Sequence, residues 1–219
     1  MIEGVVVTSD DEAVIVTAEA PLQALSSASI AGGLRPVRSI VNLHVAGDFA
    51  HETLEARVNT LARRRGLPPV WIGLATAACT ARAAIASATS RGITAQAVVT
   101  VGLSNPVSAG ISAMALAPVP ASTINTIVLV DAAVEVPALV NAIITTTEVK
   151  TSILAAAGIR CPDGAPATGT STDAIVVAAT GHGLPCRFGG PISDLGWVLA
   201  RAVRSATEAG VRLWLDGDQ

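Results

Sequence analysis

The chain has 219 residues and is 51% hydrophobic, enough for one sizeable core, and with no charged or low-complexity linker it reads as one domain over residues 1–219. A formal net charge of −3 leaves no basic field for nucleic acid. The acidic start Met1-Ile2-Glu3-Gly4 has neither the basic region nor the apolar run of a signal peptide, which makes the cytoplasm the expected compartment. Val5 to Thr8 and Ala13 to Thr17 are β-branched runs around the polar Ser9-Asp10-Asp11-Glu12, the pattern of a hairpin. Pro21 to Gly33 is rich in Ser and Ala and closes on Gly32-Gly33, so it reads as a flexible element. Ser39 to Val45 reads as a strand, Glu52 to Arg65 as a helix with Leu54, Val58 and Leu61 on one face, and Val70 to Ala75 as another strand.

Ala81 to Ala88 fits either a helix or a strand that hairpins through Arg91-Gly92 into Thr94 to Leu103. From Arg91 to Asp131 no charge intervenes, yet Asn105, Pro106, Pro118, Pro120 and Asn125 break the run well short of the roughly 20 apolar residues of a membrane span. Thr123 to Val130 is a strand, Ala138 to Ala157 a helix, and Gly158 to Thr172 a loop punctuated by Gly and Pro. Asp173 opens a buried strand, Ala174 to Ala178, and Asp194 to Ala209 is an amphipathic helix. The fold expected is α+β, or three-layer α/β, with a mixed, largely antiparallel sheet and packed helices.

Thirteen arginines stand against one lysine, Lys150, two residues after Glu148 in a threonine-rich apolar segment. A compact, titratable ammonium is not interchangeable with guanidinium. The bland reading is a helix whose two charges reach water along their stems. Residues two apart on a helix do not face each other, so only one of the pair can point inward. Glu148 is the one expected there, because Thr151 and Ser152 share its face. The triplet Arg63-Arg64-Arg65 reads as a solvated helix end.

Polar clusters stand at the ends of apolar elements: Val101-Gly102-Leu103-Ser104-Asn105, Ser122-Thr123-Ile124-Asn125, Thr147-Glu148-Val149-Lys150-Thr151 and Gly169-Thr170-Ser171-Thr172-Asp173-Ala174. With Asn42 at a strand end and the late turn Gly189-Gly190-Pro191-Ile192-Ser193, this ordered set resembles the CbiZ family, the adenosylcobinamide amidohydrolases, from about Ser26 to Ala209. Val101 and Val149 stand where the family pattern has alanine, Ser122 and Ser171 where it has glycine. A serine there matters if the backbone needs a positive φ.

The resemblance implies hydrolysis of the amide joining the aminopropanol arm to the corrin ring of adenosylcobinamide, giving adenosylcobyric acid and aminopropanol. Amide hydrolysis needs an activated nucleophile, a stabilised oxyanion and a proton for the amine. Glu148, Lys150 and Asp173 are the catalytic candidates. Asn42, Ser104, Asn105, Asn125, Gly169, Thr170 and Thr172 are the substrate-binding candidates, the carboxamides suiting an amide-rich corrin rim. For the three asparagines the alternative is strand or turn capping.

Water is the leading nucleophile; a hydroxyl from Ser104, Thr170, Ser171 or Thr172 is the rival, short of a histidine partner because His44, His51 and His182 belong to no motif. Cys79, Cys161 and Cys186 form no disulfide framework. Cys161, His182 and Cys186 lack zinc-site spacing, so no metal and no cofactor is expected, and cobalt enters with the substrate. A corrinoid-binding protein that does not cut is the competing reading. The alanine-rich, charge-poor surface hints at a homo-oligomer.

Overall fold

The computed structural model describes residues 2–47, 53–115 and 122–217; His51, Glu52, Pro118 and Pro120 lie outside that range. In chain order the strands are β1 (Val5–Ser9), β2 (Ala13–Ser26), β3 (Gly33–His44), β4 (Trp71–Thr76), β5 (Ala84–Ser90), β6 (Ile93–Val101), β7 (Pro106–Val107), β8 (Ile124–Asp131), β9 (Ala133–Val134), β10 (Gly169–Thr170), β11 (Ala174–Ala179) and β12 (Pro185–Cys186). The helices are α1 (Leu54–Arg64), α2 (Val136–Ala156) and α3 (Asp194–Leu215).

Eight strands form one mixed sheet in the order β4-β3-β2-β11-β8-β6-β5, with β1 on β2. The pairs β3–β4 and β11–β8 are parallel and the rest antiparallel. The α+β expectation therefore holds. The expected hairpin is β1–β2, and the ambiguous Ala81 to Ala88 resolves into the end of a short 3-10 turn at Thr80–Arg82 and, from Ala84 on, β5, which turns back at Arg91 and Gly92, both at positive φ (49° and 78°). That is the two-residue turn whose twist matches an antiparallel pair.

The segment expected to be flexible is strand instead as far as Ser26. Its pairing with β3 shifts register between Thr17 and Leu22, and exposed Pro21 sits in that irregularity, where a missing N–H costs no ladder bond. Before the shift β2 pairs with β1, and after it with β11. The bulge is thus a joint at which the sheet changes partners and doubles over.

Alternation along the strands shows what the doubling achieves. Ala13 and Ile15 of β2 and Val41 and Leu43 of β3 pack with Leu54, Val58 and Leu61 of α1. Their neighbours Val14, Val16 and Ile40 point the other way, into a core shared with Ile127, Leu129 and Val176. The opposite faces of β8 and β11, with Val128, Val130 and Val177, carry Leu139 and Leu154 of α2 and Leu195, Leu199 and Val203 of α3. The layers are accordingly four, helix, sheet, sheet, helix, with successive residues of one strand serving different cores. Ser193 caps α3, its hydroxyl accepting from Gly196 N at 3.1 Å, and Thr145 of α2 donates to the Gly189 carbonyl at 3.0 Å, so the glycine-proline turn fixes the two helices together. No helix among the described residues is long and apolar enough to cross a membrane.

Candidate active site

The N-terminal ends of the parallel strands β8 and β11 lie side by side, with Ala174 opposite Asn125. Strand β10 precedes β11 by a tight loop and pairs with β7, Gly169 opposite Val107 and Thr170 opposite Pro106. That pairing draws the Ser104-Asn105 and Gly169-to-Asp173 segments to one edge. Helix α2 passes above it.

Asp173 is the centre. Lys150 Nζ and Thr170 N (3.1 Å) donate to its Oδ2, while the Thr170 hydroxyl and Ile124 N (2.9 Å) donate to its Oδ1. The Lys150 and Asp173 side chains are 8% and 11% exposed. A buried ion pair survives only where remaining lone pairs are also satisfied, and these four donors fill both carboxylate oxygens. Lys150 makes no other hydrogen bond among the described residues, so its ammonium keeps donor capacity for a ligand.

Gly169 is what lets the pair close. A β-carbon there would lie 2.5 Å from Asp173 Oδ2 and 2.8 Å from Lys150 Nζ. Gly102 has a parallel role, since its β-carbon would meet Ser122 Oγ at 2.8 Å, and that hydroxyl accepts from Ser104 N at 3.0 Å. The two serines standing where glycine was expected are therefore in use: Ser122 holds Ser104, and Ser171 accepts from Asn105 Nδ2 at 2.8 Å. Neither takes a positive φ, so neither is strained.

The orientation expected on α2 is reversed. Glu148 is exposed and Lys150 buried, because two helical steps turn the chain by about 200° and Val149, Ile153 and Leu154 set the inner face. Thr151 ties α2 down, donating to the Thr168 carbonyl at 3.0 Å.

Asn42 and Asn125 come together, but mainly with each other. They are 2% and 1% exposed; Asn125 Nδ2 donates to Asn42 Oδ1 and to the Ala75 carbonyl, both at 2.8 Å, and Asn42 Nδ2 donates to Thr100 Oγ1 at 2.9 Å. This clamp across the two sheet layers is closer to the capping alternative than to an open binding group. Asn125 still touches ligand space, lining with Thr172, Ala174, Leu74, Ala75, Ser27 and Ser29 a cavity of about 170 Å³. Ser104 is exposed at the rim and Asn105 half-buried.

Thr123, absent from the candidates, is buried beside this cavity and donates to Asn125 Oδ1 at 3.3 Å; its place at a strand end next to Asn125 was the available signal. His44 is held by the Ala78 carbonyl at 3.0 Å and His182 is exposed. Neither reaches Asp173 by any hydrogen bond among the described residues.

Residues 2–218 match the family model of adenosylcobinamide amidohydrolase, CbiZ. The chain belongs to that family. CbiZ membership makes it a hydrolase of a carbon–nitrogen bond in adenosylcobinamide. No curated protein matches the chain.

Among solved structures it is similar to the PH0078 protein from Pyrococcus horikoshii OT3 (13% identity, TM-score 0.45, covering 95% of this chain and 83% of that one). It is also similar to a Burkholderia sp. beta-aminopeptidase (14%, 0.46, 96% and 83%). A third is the l-aminopeptidase d-ala-esterase/amidase from Ochrobactrum anthropi, titled as a variant of the ntn hydrolase fold (12%, 0.38, 95% and 83%).

Proposed function

We propose that the Lys150–Asp173–Thr170 cluster is the catalytic centre at which this CbiZ member cuts the amide between the corrin ring and its aminopropanol arm. The observation that carries the reading is the buried Lys150–Asp173 pair, closed over a glycine and built from three chain segments, at Ile124, Lys150 and Gly169 to Asp173. A chain whose other cations are all arginine has placed its one ammonium where it keeps unused N–H groups.

Water adds to the amide carbon, and the electron pair of the carbonyl moves to oxygen. Lys150 stabilises that oxyanion, a contribution that grows as negative charge develops and is largest in a site from which water is excluded. The intermediate collapses to a carboxylic acid as the C–N bond breaks, and the proton lost by water ends on the leaving amine. Asp173, with all its acceptor positions filled, orients Lys150 and Thr170 and leaves no open lone pair for the attacking water. Glu148, exposed on the other side of α2, is assigned no step.

The test is incubation of the purified protein with adenosylcobinamide, with mass-spectrometric detection of adenosylcobyric acid and aminopropanol. Lys150→Met is expected to lose at least about a hundredfold in kcat while retaining substrate, the cost of removing one oxyanion donor. Full turnover by Lys150→Met would refute the assignment. Binding without turnover by the wild type would establish the non-cutting corrinoid binder instead.

A further inference from the structure

The cavity beside Asp173 has a chemistry of its own. Among the described residues, no Asp, Glu, Lys, Arg or His lines it, although Asp173 stands between two of its lining residues, because that carboxylate is turned away onto Lys150, Thr170 and Ile124 N. Its volume of about 170 Å³ far exceeds the 10–15 Å³ that one water needs, so it admits an arm of several heavy atoms.

Two polar side chains with defined hydrogen-bonding roles, Asn125 and Thr172, are among the residues that line the cavity. The Ala75 carbonyl can only accept, which fixes the Asn125 amide so that both its N–H groups are spent, one on Ala75 and one on Asn42. Asn125 therefore offers only Oδ1, an acceptor with a lone pair to spare beyond the long 3.3 Å bond from Thr123. Thr172 Oγ1 is buried and has no hydrogen-bond partner among the described residues, an unfavourable state until something fills it. One group that both donates and accepts satisfies the two at once.

We propose that this cavity is a subsite for one small uncharged polar group of the substrate, a primary carboxamide or an alcohol, and that it rejects a carboxylate at the same place. A carboxamide gives its N–H to Asn125 Oδ1 and takes the Thr172 hydroxyl on its carbonyl; an alcohol does both with one oxygen. A carboxylate has no donor, so Asn125 Oδ1 faces a negative oxygen with no counter-charge in the lining. Adenosylcobinamide carries both permitted groups, carboxamides on the ring rim and the alcohol of the aminopropanol arm. The subsite rests on the hydrolase reading above for its substrate, but not on the roles of Lys150 and Asp173.

Wild type, Thr172→Val and Thr172→Ser are compared on three ligands: adenosylcobinamide, the analogue with 1-aminopropane as its arm, and analogues with one ring carboxamide hydrolysed to the acid. Binding is followed by equilibrium dialysis on the corrin absorbance, and turnover by amine release. Thr172→Val is expected to weaken adenosylcobinamide binding about tenfold or more with kcat changed far less, and Thr172→Ser to restore it, the loss being that of one buried hydrogen bond. If the alcohol is the occupant, wild type binds the aminopropane analogue as weakly as Thr172→Val binds the parent. If a ring carboxamide is, one of the acid analogues behaves that way.

Equal binding of all ligands by wild type and Thr172→Val overturns the subsite, as does failure of wild type to bind any of them. Thr172-dependent binding without amine release leaves the subsite standing and removes the hydrolase reading.

Discussion

Gly169→Ala tests the centre most directly, because the added atom is a single methyl carbon and its neighbours are known. That carbon would lie 2.5 Å from Asp173 Oδ2 and 2.8 Å from Lys150 Nζ, whereas unstrained contacts sit near 3.5 Å, so the two side chains must retreat by roughly 1 Å. Asp173 is short and held from four directions, which leaves it little room to comply. Gly169 is not at positive φ, so the effect is steric and separable from backbone strain.

A displacement of about 1 Å in a catalytic group costs on the order of a hundredfold, and loosening a buried ion pair costs about 2–3 kcal/mol, somewhat less than deleting one partner. For a chain of this size that is a fall in Tm of roughly 4–12 °C. The assay is kcat/KM by mass-spectrometric product release beside thermal denaturation. Gly190→Ala serves as control, having nothing within 4 Å of its added carbon. A Gly169→Ala protein as active and stable as wild type would refute the claim that the close Lys150–Asp173 geometry matters.

Glu148→Gln should leave kcat and KM within about twofold of wild type, since an exposed side chain away from the cluster is a mild surface change; steady-state kinetics decides it. Gly102→Ala, whose new carbon meets Ser122 Oγ at 2.8 Å, should free Ser104 and raise KM more than it lowers Tm. Asn42→Ala should cost roughly 1–3 kcal/mol in denaturant unfolding, because Thr100 and one Asn125 N–H lose their buried partner.

Asp10 is held below the usual carboxylate range chiefly by its hydrogen bond from Arg65, and Glu12 by those from Arg64 and then Arg65. A lowered folded pKa gives stabilisation that is complete above the unfolded value and fades as pH falls through the folded one, so the loss lies in acid, below about pH 4. With the carboxylates 46% and 39% exposed, it amounts to less than about 1 kcal/mol. Arg65→Ala should flatten that limb of a Tm-against-pH curve.

Much of this was readable from residues alone. β11 is an uninterrupted apolar run and β8 is one from Ile127 to Val130, both buried on both faces, and the period of α1 and α3 follows from aliphatic spacing. The four-layer arrangement was not readable, since it turns on a register shift in β2 at a stretch whose Pro21 and alanines look like a loop. Lys150 and Glu148 were recognised as alternatives, but which faced inward depends on the phase of α2, set by packing of Leu139, Ile153 and Leu154 against strands far away in sequence. Asn42 and Asn125 were visible as unusual strand-end carboxamides; that they would spend themselves on each other needs the two layers in register.

The four donors to Asp173 also determine when the site can come into being. Ile124 is 49 residues away and Lys150 is 23, while the neighbouring clamp joins residues 58 and 83 apart. Closing such loops is entropically unfavourable until the contacts they bring together form, so no local hairpin or helix can assemble the centre early. A refolding chain should regain far-ultraviolet helicity well before it regains turnover, and the lag between the two measures how late β8, β10, β11 and α2 meet.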